Sequence, residues 1–192
     1  MAITDKYAIV SVTNDRSVDG ELGSVFIYKR GVLDWELDQV IRPSDGSQTR
    51  VFGSSIAIDG EDLIIGATAN LTINVDSAQV YYFQKKLTTN TWEEKQIFKN
   101  PEGPHIKRFG SNLSIDQNRL VFLTQDATDP INFTNQIRIY NKVGTHWTQS
   151  NILCPFVIGS RFDSVLLYED WLLLGSPAFS TDGILRGGVF IF

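Results

Sequence analysis

Short apolar runs recur along this chain, each bounded by turn residues, and none carries the i, i+3, i+4, i+7 stripe of an amphipathic helix. The pattern is clearest from Phe52 to Phe98. Phe52-Gly53-Ser54-Ser55 opens into the alternating run Ile56-Ala57-Ile58-Asp59, and Gly60-Glu61-Asp62 turns the chain. Leu63-Ile64-Ile65-Gly66-Ala67 is almost wholly apolar. A polar stretch from Thr68 to Ser77 follows, then Ala78 to Phe83, a second polar stretch, and Trp92 to Phe98. Runs this short, rich in Val, Ile, Phe and Tyr and flanked by Gly, Asp, Asn and Ser, predict four antiparallel strands. The apolar second strand predicts cover on both faces. The mostly polar fourth strand predicts an exposed sheet edge.

The same unit recurs on both sides. The third strand aligns four times without a gap, as Gly23 to Tyr28, Ala78 to Phe83, Asn135 to Tyr140 and Gly187 to Phe192. The fourth strand occurs three times, from Trp35, Trp92 and Trp147, each Trp followed four places on by an amide (Gln39, Gln96, Asn151). An opening Phe-Gly turn stands at Phe52-Gly53 and Phe109-Gly110, with Phe162-Asp163 as a degenerate third. From Phe52 to Phe109 to Phe162 the steps are 57 and 53 residues, and from Trp35 to Trp92 to Trp147 they are 57 and 55. A steady period of this size with four strands in each predicts an all-β fold, a β-propeller of four-stranded antiparallel blades. The blades fall at approximately 1–50, 51–108, 109–161 and 162–192, the last without a Trp strand. The expectation is about three and a half blades. Three outcomes stay open: a slice of a longer propeller, completion by a strand of a neighbouring chain, or a closed ring of four.

Composition narrows the classes. A charged fraction of 20% and a hydrophobic fraction of 42% are ordinary for a folded domain. The net charge of −5 argues against a nucleic-acid partner, which calls for a basic field. No apolar run is long enough for a membrane span, and Met1 to Lys6 do not read as a secretion signal. Cys154, in the run Ile152-Leu153-Cys154, reads as a small buried hydrophobe.

With the repeat in hand, a resemblance can be stated. Phe52-Gly53-x-x-Ile56-x-Ile58-Asp59-Gly60 followed by Gly66-Ala67-Thr68, with Gly175-Ser176-Pro177 in the fourth unit, resembles the FG-GAP repeat of integrin alpha-subunit propellers and many bacterial surface proteins. The closer resemblance is to the short bacterial variety with a Trp in its last strand, matched by Trp35, Trp92 and Trp147. It implies a propeller, a non-enzymatic adhesive role, a protein or glycan partner and an extracellular or surface location. Integrin-type repeats often bear a calcium loop between the first two strands. Here Thr4-Asp5-Lys6, Asp59-Gly60-Glu61-Asp62, Asp116-Gln117-Asn118 and Glu169-Asp170 are too short and too poor in oxygen ligands for one, and read as hairpin turns. No metal and no cofactor is expected.

No catalytic set emerges. His105 and His146 are separate loop histidines, Gly110-Ser111 and Gly159-Ser160 are turn residues rather than nucleophiles, and Glu93-Glu94 and Asp15 with Asp19 read as solvated carboxylates. The three Trp residues are expected to pack on the next blade and seal the interblade core, with sugar-stacking platforms as the alternative. The working surface is placed on the loops between second and third strands, Thr13 to Leu22, Ala69 to Ser77, Gln125 to Asn135 and Ala178 to Gly187. Asn14, Asp15, Arg16 and Asp19 form one polar group there, and Asp126, Asp129, Asn132 and Phe133 another. Asn70-Leu71-Thr72 and Asn132-Phe133-Thr134 fit the glycosylation pattern. The function expected is a binding or adhesion module. The alternatives are an assembly module of a surface layer, fibre or virion, completed by a neighbouring chain, and an accessory domain of a secreted hydrolase.

Overall fold

The computed structural model describes residues 1–15, 23–46, 50–69, 78–100, 106–126, 134–155, 162–177 and 187–192. Among them are sixteen strands and no helix. Sheet 1 holds β1 (Ala2–Ile3), β2 (Tyr7–Val12), β3 (Ser24–Arg30) and β4 (Trp35–Ile41). Sheet 2 holds β5 (Arg50–Asp59), β6 (Asp62–Ala69), β7 (Gln79–Lys86) and β8 (Thr91–Lys99). Sheet 3 holds β10 (Leu113–Asp116), β11 (Arg119–Asp126), β12 (Thr134–Val143) and β13 (His146–Leu153), with β9 (Ile106–Lys107) also paired to β11. Sheet 4 holds β14 (Ser164–Tyr168), β15 (Trp171–Ser176) and β16 (Gly188–Ile191). Every sheet is an antiparallel meander in chain order.

The repeat read from the sequence is a repeat of register. Ala2 faces Ile9, Ala57 faces Ile64, Ser114 faces Val121 and Leu166 faces Leu173. Between third and fourth strands a β-bulge falls at the same place three times, at Ile27/Tyr28, Tyr82/Phe83 and Ile139/Tyr140. The extra residue is Asp38, Lys95 or Ser150, directly before the amide of each Trp strand. A bulge re-aims the side chains beside it, and here two of those amides, Gln39 and Gln96, reach the next sheet, while the Asn151 Oδ1 accepts the adjacent Ile152 N–H.

The sheets stack face to face in chain order, with one apolar cluster per junction. Successive side chains of a strand point to opposite faces, so a wholly apolar strand feeds two cores. Leu63 and Ile65 join Ile9, Val25 and Ile27 of sheet 1, while Ile64 joins Leu120 and Phe122 of sheet 3. Val121 and Leu123 turn the other way, to Leu172 and Leu174 of sheet 4. No apolar cluster among the described residues joins sheet 4 back to sheet 1.

Three expectations need correction. The Phe-Gly pair forms the expected turn in sheet 3, where the Ser111 N–H donates to the Arg108 carbonyl at 2.9 Å across Phe109-Gly110, but not in sheet 2. Phe52-Gly53 lies inside β5, at a register shift between Phe52 and Ser55, and Phe109-Gly110 lies between β9 and β10. Its two residues divide the work. Phe52, Phe109 and Phe162 are buried in the three junctions, one each. Gly53 (φ 84°) and Gly110 (φ 71°) bring the backbone against the preceding sheet, where an added Cβ would lie 2.7 Å from Ser11 Cβ and 2.3 Å from Val80 Cγ2 respectively. A left-handed φ and that lack of space both require glycine. Asp163 has no positive φ and instead pairs with Arg108 of sheet 3 at 2.7 Å, so the fourth unit keeps the Phe without the kink.

The Trp residues pack on the preceding sheet, not the next one. Trp92 meets Tyr7 of sheet 1 edge-on at 5.5 Å, and Trp147 meets Tyr82 of sheet 2 at 5.9 Å. Both are only 3% exposed, which leaves no ring face for a sugar, whereas Trp35, in the first sheet of the described residues, is 40% exposed. Cys154 is exposed, not buried. It stands just past the end of β13, the outer strand of its sheet, where the alternation that buries a neighbour no longer applies.

The amides complete each junction. Gln39 Nε2 donates to the Trp92 carbonyl at 3.0 Å while its Oε1 accepts the Trp92 N–H at 2.8 Å. Gln96 brackets Trp147 in the same way, both bonds at 2.8 Å. Outer strands are thus tied sheet to sheet although they share no ladder. Gln96→Glu keeps the acceptor but sets a carboxylate oxygen against the Trp147 carbonyl. We expect it to destabilise by about 1–3 kcal/mol, the cost of stranding a partly buried polar group, read as a lowered urea midpoint at unchanged slope.

Candidate functional site

The connections between second and third strands all leave one edge of the stack. The rungs Val12–Ser24, Ala67–Gln79, Asp126–Thr134 and Ser176–Gly188 mark it. The crossovers from one sheet to the next leave the same edge, because an antiparallel meander returns there after its fourth strand.

Of the residues singled out at this edge, Asn14 is exposed and Asp15 is half-buried. Asp15 is a structural residue. Its carboxylate accepts from Ser24 Oγ at 2.5 Å and lies 3.5 Å from the guanidinium of Arg42, and its carbonyl accepts the Gly23 N–H at 2.9 Å. It closes the base of the first connection and ties it to the crossover after β4. Asp126 ends β11, its backbone paired with both Thr134 and Ile106. Arg16, Asp19, Asp129, Asn132 and Phe133 lie outside the described residues, as do Asn70 and His105. The structure therefore brings Asn14, Asp15 and the backbone of Asp126 to this edge. The edge is further pinned by Tyr81, whose hydroxyl is 2.9 Å from Asp45 of the same crossover.

The carboxylates at the opposite edge have structural partners too. Asp59 Oδ2 accepts the Gln117 N–H at 2.6 Å and Asp116 Oδ2 accepts the Glu169 N–H at 2.5 Å. Each ties its hairpin to the next sheet, at a turn residue held in the left-handed region (Gln117 φ 55°, Glu169 φ 49°). Glu93 and Glu94 diverge. Glu93 takes Lys95 at 2.8 Å and Lys86 at 3.2 Å, and these two lysines hold its carboxyl below its ordinary value. Glu94 takes Ser44 Oγ at 2.7 Å. They share no proton. Among the described residues no three His, Cys, Asp or Glu side chains are placed to hold a metal ion.

Composition and spacing did not single out two lysines, one buried and one largely buried. Lys85 lies 2.7 Å from Asp38 of sheet 1 and over the rings of Tyr7 (5.3 Å) and Trp92 (5.4 Å). Lys142 pairs with Asp62 of sheet 2 and lies over Tyr82 (5.7 Å) and Trp147 (5.9 Å). Tyr82 also donates to Asp62 at 2.6 Å. A Tyr, a carboxylate and an ammonium in contact could in principle move protons. Here the ammonium and carboxylate side chains are only 12% and 11% exposed beneath Trp147, so the group serves as a seam between sheets. A signal was available. Each cation stands two places after an aromatic of the third strand and directly opposite a Trp: Arg30 with Trp35, Lys85 with Trp92, Lys142 with Trp147.

Burial, then the Asp62 carboxylate, raises the Tyr82 phenol well above its ordinary 10.0, and Tyr7 is raised by burial, Glu61 and Asp38. The sign of the linkage follows. The folded chain holds the neutral phenol while the unfolded chain ionises it near its ordinary value. The stabilisation is therefore complete below pH 10.0 and lost as the pH rises above it. Urea midpoints measured upward from that pH are expected to fall more steeply for the native chain than for Tyr82→Phe.

The fold and its seams define a class: an all-β repeat stack whose recurring spacing serves sheet-to-sheet contacts. Residues 35–83 match the family model of the FG-GAP repeat. That span runs from Trp35 of β4 to Phe83 of β7 and holds the Phe52-Gly53 kink, its buried Phe and the Gln39 bracket to the following sheet. The match points to a non-enzymatic repeat module. No curated protein matches the chain. No helix among the described residues is long and apolar enough to cross a membrane.

Proposed function

We propose that the four sheets are consecutive blades of a β-propeller and that the chain is a non-enzymatic binding module, extracellular or surface-exposed. It presents the edge bearing the second-to-third-strand connections to a protein or glycan partner. One observation carries this reading. The register of the sheets repeats from unit to unit while the connections 13–22, 69–77, 125–135 and 178–187 differ in content. A rigid frame with variable connections on one edge is the usual arrangement of a recognition surface. The FG-GAP match at residues 35–83 supports the same class.

The test is a screen of the chain against glycans and candidate extracellular proteins, repeated with residues 127–133 replaced by a Gly-Ser linker and with Asn14→Ala. Binding that drops about tenfold or more, the scale of one lost hot-spot contact, at an unchanged urea midpoint supports the role. Replacements that leave every interaction as it was would count against it.

A further inference from the structure

Two apolar faces of the stack have no partner among the described residues, and they are of opposite kinds. Each junction inside the chain joins the trailing face of one sheet to the leading face of the next. On the leading faces, Trp92 and Trp147 are buried against the sheet before them. The equivalent Trp35 of sheet 1 is exposed, and Leu37 and Ile3 beside it in the sheet are 54% and 70% exposed. On the trailing faces, Val25, Val80 and Ile137 are fully buried by the following sheet. Their equivalent in sheet 4 is Val189, at 68%, and Ile27 and Tyr82 find theirs in Ile191, at 61%.

We propose that these two faces bind one another between copies of this chain: the trailing face of sheet 4 in one copy seats on the leading face of sheet 1 in a second copy, head to tail. The occupant is a second copy because the chain itself carries both halves of the contact. The contact continues an interface that it already forms three times with the same alternation of apolar positions, twice with a Trp ring in the same place. Apolar side chains gathered on one sheet face are what such an interface removes from water. The contact is heterologous, so every open assembly keeps one free face of each kind at its two ends, and assembly proceeds until the rotation closes a ring. The inference stands on the stacking of the sheets and not on the recognition role. A chain that binds no glycan or protein ligand would leave it intact.

The experiment uses sedimentation of the whole chain with Trp35→Glu, which spoils the leading face, and Ile191→Glu, which spoils the trailing face. Both sites are exposed, so circular dichroism and the urea midpoint should stay those of the native chain. The native chain is expected to associate with rising concentration. Each variant alone should lose about 30-fold or more in association constant, the scale of an interface hot spot. An equimolar mixture should form a dimer and nothing larger, since one intact face of each kind remains. A native chain that stays monomeric throughout would overturn the proposal, as would a mixture that stays monomeric. So would a dimer that survives in either variant alone, because a self-complementary face would then be responsible. If a further segment of a longer polypeptide is the natural occupant, the native chain stays monomeric and the proposal fails.

Discussion

Asp62→Ala is expected to destabilise the chain by about 3–5 kcal/mol, the cost of leaving a buried charge without its partner. Asp62 receives three donors: the Tyr82 hydroxyl at 2.6 Å, Gln84 Nε2 at 3.3 Å and the Lys142 ammonium. Truncation strands the ammonium under the Tyr82 and Trp147 rings and removes the acceptor of a fully buried phenol. Urea unfolding followed by Trp fluorescence is the measurement. Adding Lys142→Met should restore most of the loss, because the ion pair itself contributes little net stability once its desolvation is counted. A single variant that loses less than about 1 kcal/mol would mean that Lys142 escapes to solvent, and that the seam is not closed.

Phe52→Ala should cost a similar ~3–5 kcal/mol, for a different reason. Phe52 is completely buried between sheets 1 and 2, with its ring edge-on to Tyr81 at 5.3 Å and to Phe83 at 6.4 Å. The backbone around it has no slack. An added Cβ at Gly23 would lie 2.4 Å from the Phe52 carbonyl oxygen. The surroundings cannot collapse into the space left, so the cavity penalty adds to the lost transfer energy. Trp35→Ala removes a larger ring but an exposed one, and should cost no more than about 1 kcal/mol in the isolated chain. The same urea experiment compares the two. Equal losses would mean that the leading face of sheet 1 is already covered in solution.

Much of the fold was legible because a β-strand writes its environment into a two-residue period. Leu63-Ile64-Ile65 and Leu120-Val121-Phe122 are apolar at every position because neighbouring sheets cover both faces, and no other arrangement of a short strand demands that. The recurrence of Phe52, Phe109 and Phe162 marked the junction plugs, although the kink beside Phe52 was taken for a turn like the one at Phe109-Gly110. A bulge and a turn use the same glycine, and the residues beside it do not tell them apart. The candidate binding surface was legible only as a set of connections. Asp15 is the type of residue that binds ligands, yet it closes the base of its own connection, because Ser24 of β3 and Arg42 of the crossover after β4 come to it through the sheet pairing.

By itself the sequence determined the strand pattern, the period, the number of sheets and the Trp, amide and Phe positions that recur in them. These follow from local alternation and from repetition, which need no knowledge of neighbours. Only the tertiary structure decided which sheet each Trp covers and which acid meets each lysine. Lys85 takes Asp38 from the outer strand of sheet 1, while Lys142 takes Asp62 from the second strand of sheet 2. Two equivalent cations thus find anions at non-equivalent positions. Stacking sets which groups from the neighbouring sheet come within reach of a buried ammonium, and any carboxylate in reach will neutralise it, so no fixed spacing along the chain records the pair.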